Sequence, residues 1–203
     1  MSSASEPAAR HSRWTIALHW GTVLAIVLAV VAVLWREAID DKDGKALRIV
    51  LMQLHRQAGL LVLLALAARL LVRWRVGLAR QAQAASPWAL RAAQAAHLGL
   101  YGLLLAMPLL GLALSQAHAV DVKLFGLLPL PTLVEEDPDL ADRLDELHAW
   151  GAWLLGGLVA AHAGAALWHH FVQRDGVLRA MWPARGDGRT AADSTQARAA
   201  MRR

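Results

Sequence analysis

The sequence predicts an all-α, integral membrane, antiparallel four-helix bundle. Two observations carry that expectation. The chain is 57% hydrophobic with a mean hydropathy of +0.36, and only 18% of its residues are charged. A soluble domain carries about 25%. The apolar residues also collect in four long runs, each longer than the ~20 residues that cross a hydrocarbon core.

The first run, Trp14–Trp35, reads WTIALHWGTVLAIVLAVVAVLW, with tryptophan at both ends as an interfacial anchor. The second, Leu47–Trp74, contains LHRQAGLLVLLALAARLLVRW. The third spans Trp88–Ser115 and the fourth Leu144–Phe171. A length of 203 residues fits one bundle with short tails. The expected division is an N-terminal tail (1–13), a transmembrane domain (14–172) and a basic C-terminal tail (173–203). No internal repeat is visible. The third connection holds Pro129, Pro131 and Pro138, so it is expected to be a loop with room for a short surface helix. The tail after Pro183 is small and polar, the composition of a disordered segment. No small-residue cleavage site follows the first run, so a cleaved signal is not expected.

Charge sets the topology. Four spans place both termini on one side of the membrane. That side collects Arg10 and Arg13, then Arg69, Arg73, Arg75, Arg80 and Arg91, then the arginines from Arg174 to Arg203. The third connection is acidic instead, with Asp121, Glu135, Glu136, Asp137, Asp139, Asp142, Asp145 and Glu146. The positive-inside rule therefore puts both termini on the cytoplasmic side of an inner membrane. The same rule accounts for a sequence pI near 10.6 without nucleic acid. Cysteine is absent, which excludes disulfides, thiolate metal sites and cysteine-ligated iron–sulfur clusters.

Four of the nine histidines, His19, His55, His148 and His162, lie within the spans. Ionisable residues at such depths face the bundle interior and mark function; a single one also serves as an interhelical hydrogen bond. Topology fixes their levels. The first span runs outward, so His19 is near its cytoplasmic end. The second and fourth run inward, so His55 and His148 are periplasmic and His162 is deeper. The levels pair His19 with His162 and His55 with His148. His148 and His162 are about 21 Å apart along one helix and within roughly 40° of one face. That spacing suits two stacked sites. Two facing imidazoles with no carboxylate beside them fit axial ligation of haem iron, whereas zinc takes three or four protein ligands at one level.

Arg48 and Arg69 stand on nearly the face of His55, one toward each membrane surface. They are placed either to hold haem propionates or to snorkel to the interface. Gly59, one turn after His55, leaves room for a flat macrocycle or for helix packing. His118 ends the third span and is expected to be solvated. His97 and His169 stand near the cytoplasmic side, either completing helix dipoles or binding a quinone carbonyl.

The stretches ALHW, LHRQAGL, AHLGLYGLLLAMPLLGL, LHAWGAWLLGG and HAGAALWHHFVQRDGVLRAMWP together resemble the bacterial cytochrome b561 family, and within it the superoxide:ubiquinone oxidoreductase type. The resemblance covers about residues 13 to 183. It implies two haem b groups, one on His19 and His162 and one on His55 and His148. It implies electron transfer from periplasmic superoxide to ubiquinone in the lipid. Haem iron with two histidine ligands has no open position, so it moves electrons and does not activate a ligand. Lys42, Lys45, Arg48 and Lys123 are the basic residues expected to attract the superoxide anion, with Asp40, Asp41 and Asp43 opposing them in the first loop. The other expected role is a quinone-linked cytochrome subunit exchanging electrons with a periplasmic redox protein. A non-redox transporter or scaffold would leave the histidines without haem.

Overall fold

The computed structural model describes residues 12–40, 44–76 and 86–182. Most of the expected tails, most of the second connection and Lys42 lie outside them. Four helices among the described residues are long and apolar enough to cross a membrane. They are α1 (Arg13–Ala38), α2 (Lys45–Val76), α3 (Pro87–Ala117) and α4 (Pro138–Trp168). The backbone of α4 continues through a π-helical turn, His169–Gln173, and a short α5 (Val177–Ala180) follows. The fold is an all-α bundle, as expected.

Three of the four long helices start at a capping side chain. Ser12 caps α1, its side chain accepting from the Thr15 N–H at 3.1 Å. Ser86 and Asp137 cap α3 and α4 in the same way, each followed by proline at the first helical position. Proline suits that place because its missing N–H would have no helical partner there. The Asp137–Pro138 start corrects the sequence expectation for α4, which begins two turns earlier than Leu144. Asp139, Asp142, Asp145 and Glu146 therefore ride on a helix and not in a loop.

The third connection holds no surface helix. It forms a two-stranded hairpin, β1 (Lys123–Leu124) against β2 (Leu128–Pro129), antiparallel with Leu124 opposite Leu128. Its turn needs Gly126 at φ +71° and forces Phe125 to φ +52°. Gln57 of α2 holds that conformation: its amide accepts from the Phe125 N–H at 2.8 Å and donates to the Lys123 carbonyl at 2.9 Å. Gln116 of α3 grips the next stretch through the Pro131 carbonyl and the Leu133 N–H. A hydrogen-bonded hairpin satisfies backbone groups that an irregular loop near lipid would leave open.

Packing is uneven. α1 packs along α2, α2 along α3, and α3 along α4, while α1 and α4 scarcely approach one another. Ala25, Val62, Leu66 and Leu104 form one buried cluster joining α1, α2 and α3. Leu60, Leu112 and Val122 form a second beneath the hairpin. The only buried residue of α4 is Ala141. The outer faces carry leucine, valine and tryptophan, with Trp153 80% exposed, the surface of a bundle solvated by lipid. Small residues let such helices approach, since lipid gives no hydrophobic drive between them. The open side between α1 and α4 is where the intramembrane histidines lie.

Candidate functional site

α4 carries His148 and His162 on the side that faces this gap, and each meets a histidine of another helix. His19 of α1 lies across from His162, ring centres 6.4 Å apart and planes inclined by 64°. His55 of α2 lies across from His148, centres 6.1 Å apart and planes inclined by 76°. The two pairs are stacked along the bundle. One is toward the end that holds the described residues nearest both termini, here the tail end. The other is toward the hairpin end. These are the partners expected from the depth of each histidine in its span.

The spacing has a chemical meaning. Two imidazoles bound to one metal through bonds of about 2 Å place their centres about 6 Å apart. Direct hydrogen bonding or ring packing would not need that separation at both levels. Among the described residues no group of three or more histidines, aspartates or glutamates is arranged to hold a bare metal ion. Two ligands per level suit a metal whose other positions are already filled by a macrocycle.

The tautomers fit as well. His55 Nδ1 is 2.9 Å from the Ala29 carbonyl of α1. A carbonyl only accepts, so Nδ1 carries a proton, and in the neutral imidazole Nε2 then keeps its lone pair. A metal-binding histidine is oriented in this manner by a partner on its other nitrogen. His148 Nδ1 is buried with no hydrogen-bond partner among the described residues. Its ring lies against Gly111 of α3, where a Cβ would stand only 3.2 Å from Cε1. Gly111 thus makes space for the His148 ring. Sequence reasoning missed it, because glycine in a membrane helix usually signals packing alone. At Gly59 a Cβ would meet nothing within 4 Å, in keeping with an open space beside His55.

The arginines divide. Arg69 lies over the Tyr101 ring, 5.6 Å from its centre, in the tail-end half of the bundle. Arg48 donates to the Ile39 carbonyl at 2.8 Å. It clamps the exit of α1 to the start of α2, a structural task the sequence did not reveal. Arg56, adjacent to His55, donates from Nε to Ser115 Oγ at 3.2 Å. It had no assigned role in the sequence, and nothing in its spacing marks it.

The quinone candidates have different surroundings. His97 of α3 stands beside His162, ring centres 5.4 Å apart, and is exposed. Its Nδ1 donates to the Ala93 carbonyl at 2.7 Å. His169, in the π-helical turn, turns to the Asp175 carboxylate at 2.5 Å. His118 is exposed at the end of α3, as expected. Lys45 and Lys123 are exposed at the hairpin end. The same end exposes Asp121, Glu135, Glu136, Asp137 and Asp139.

The sequence has clear relatives. The prokaryotic cytochrome b561 family matches residues 10–184. Cytochrome b561 homolog 1 of Escherichia coli (strain K12) is 31% identical over 176 residues, which is 87% of this chain and 98% of that protein. Cytochrome b561 homolog 2 of the same strain is 31% identical over 177 residues, 85% of this chain and 90% of that one. The probable superoxide oxidase CybB of Yersinia pestis is 26% identical over 174 residues, 86% and 96%. The family match spans all four helices and both histidine pairs. This chain therefore belongs to the prokaryotic cytochrome b561 family, whose members bind haem b and transfer electrons in the membrane.

Proposed function

We propose that the chain is a di-haem b cytochrome of the bacterial inner membrane that takes electrons from periplasmic superoxide and delivers them to ubiquinone. The supporting observation is the pair of opposed imidazoles at each of two depths. His19 and His162 would hold the cytoplasmic haem, and His55 and His148 the periplasmic one. Haem b so held supplies one-electron oxidation and reduction, with no open position for oxygen chemistry. The positive-inside rule puts the tail end in the cytoplasm and the hairpin end in the periplasm. Two superoxide anions give up one electron each and leave as dioxygen. One ubiquinone takes up both electrons with two protons and leaves as quinol. Lys45, Lys123 and Arg48 supply positive charge where the anion arrives. Arg69 stands on the cytoplasmic side, where a propionate would need a cation. Exposed His97, and His169 with its carboxylate partner, are placed to hold a quinone carbonyl or pass a proton.

One observation favours a second donor. The acidic residues exposed around the hairpin repel an anion and attract a basic protein. A quinone-linked cytochrome subunit served by a periplasmic redox protein fits that surface. Stopped-flow mixing of the purified holoprotein with superoxide, with and without ubiquinone, separates the two. Rapid haem reduction followed by quinol formation supports superoxide as donor. Inertness toward superoxide, in protein that still exchanges electrons with quinol, transfers the assignment to the protein donor. Fewer than two haems per chain in a pyridine haemochrome assay refutes the two-site architecture itself.

A further inference from the structure

Arg56 is half-buried in α2, one residue after His55. Among the described residues no carboxylate pairs with it. The charge of Arg36, in the last turn of α1, acts on it and repels it, while Arg36 has its own carboxylate in Glu37. A cation partly removed from water and pushed by another cation is costly unless an anion completes the site.

The side chain is also aimed. Its Nε is fixed on buried Ser115 Oγ at 3.2 Å. Ser115 Oγ in turn donates to the Gly111 carbonyl at 2.8 Å. Gly111 is the residue against which the His148 ring rests. A short chain of contacts therefore ties Arg56 to the His55/His148 level. With Nε engaged, the two terminal amino groups remain as a planar fork, the shape that takes a carboxylate through two parallel hydrogen bonds.

We infer that Arg56, oriented by Ser115, binds a carboxylate beside the His55/His148 pair, and that this carboxylate is a haem propionate. The inference rests on the proposed haem ligation by His55 and His148. It gives Arg56 one of the two tasks that the sequence left open for Arg48, whose guanidinium donates to the Ile39 carbonyl. Arg56 would then be a positioning and potential-setting residue. A cation on the propionate favours the reduced centre, because it offsets the charge added by the electron.

Arg56→Met and Arg56→Lys in full-length holoprotein test this. Haem content comes first: if His55→Ala removes no haem, the ligation scheme has failed and the Arg56 assignment is overturned with it. With haem present, Arg56→Met should lower the midpoint potential of the centre that His55→Ala removes. A tenfold change in preference between its two oxidation states corresponds to 59 mV for one electron. Arg56→Lys should recover part of that shift. Redox-difference infrared spectra should show the propionate carboxylate band moving in Arg56→Met. An unmoved band and an unchanged potential overturn the assignment. If both stay constant while reduction by superoxide slows and loses its salt dependence, the anion is superoxide and the propionate assignment is likewise overturned.

Discussion

Replacing Gly111 by alanine tests the hairpin-end site without substituting either of its histidines. The added Cβ would stand 3.2 Å from His148 Cε1. Carbon atoms prefer about 3.5–4.0 Å, so the imidazole must retreat by roughly 0.3–0.8 Å. Overpacking of this kind costs about 1–3 kcal/mol. Alanine returns about 1 kcal/mol of helix propensity relative to glycine. The polypeptide alone should therefore lose no more than about 2 kcal/mol, the difference between those two figures. Haem binding should suffer more, because a displaced partner of a metal ligand typically costs about 10–100-fold in affinity. The assay is haem stoichiometry by pyridine haemochrome after dialysis, together with the reduced-minus-oxidised spectrum. Gly111→Ala should lose the component that His148→Ala loses and keep the one that depends on His19. Gly102→Ala is the control on the same helix, since a Cβ there meets nothing within 4 Å. Equal behaviour of the two variants, or loss of the His19-dependent component in Gly111→Ala, would show that the contact with His148 does not position a ligand.

Three further outcomes are expected. His19→Ala and His162→Ala should remove one common spectral component, and His55→Ala and His148→Ala the other; a component shared by His19→Ala and His148→Ala would break the pairing. The rate of haem reduction by superoxide should fall as salt rises, because exposed charges are screened beyond about 8 Å at physiological ionic strength. Lys45→Glu or Lys123→Glu should lower that rate with the haem spectrum intact; a rate indifferent to salt and to both changes removes electrostatic steering. Gln57→Ala should release the hairpin, losing two hydrogen bonds worth about 1 kcal/mol each. Faster amide exchange confined to residues near Phe125 is the expected signature, and unchanged exchange there would mean that the buried cluster under the hairpin holds it alone.

Much of the site is legible in the sequence. A membrane span must be long and apolar, so the four helices stood out as runs. Each span reverses direction, so a residue's place in its run gives its depth. His19, His55, His148 and His162 could be sorted into two levels by that rule alone. Local chemistry was harder to read where two signals compete. Pro138 reads as a loop residue, but after Asp137 it opens a helix. Phe125 and Gly126 form a tight turn that Gln57, far away in sequence, bonds through the backbone on both sides of it.

The sequence by itself determined the number of spans, the expected side of the termini and the depth of every intramembrane histidine. These follow from transfer of side chains between water, interface and hydrocarbon, a property that each residue carries whatever its neighbours. Only the tertiary structure decided that the imidazole centres of each pair stand about 6 Å apart across a gap between helices that scarcely pack. It alone seated His148 on Gly111, gave Arg48 to the Ile39 carbonyl and turned Arg56 toward Ser115. Such contacts join residues far apart in the chain, and they depend on the rotation of each helix about its own axis. Long apolar runs leave that rotation open, since lipid accepts any face, and packing against neighbouring helices sets it.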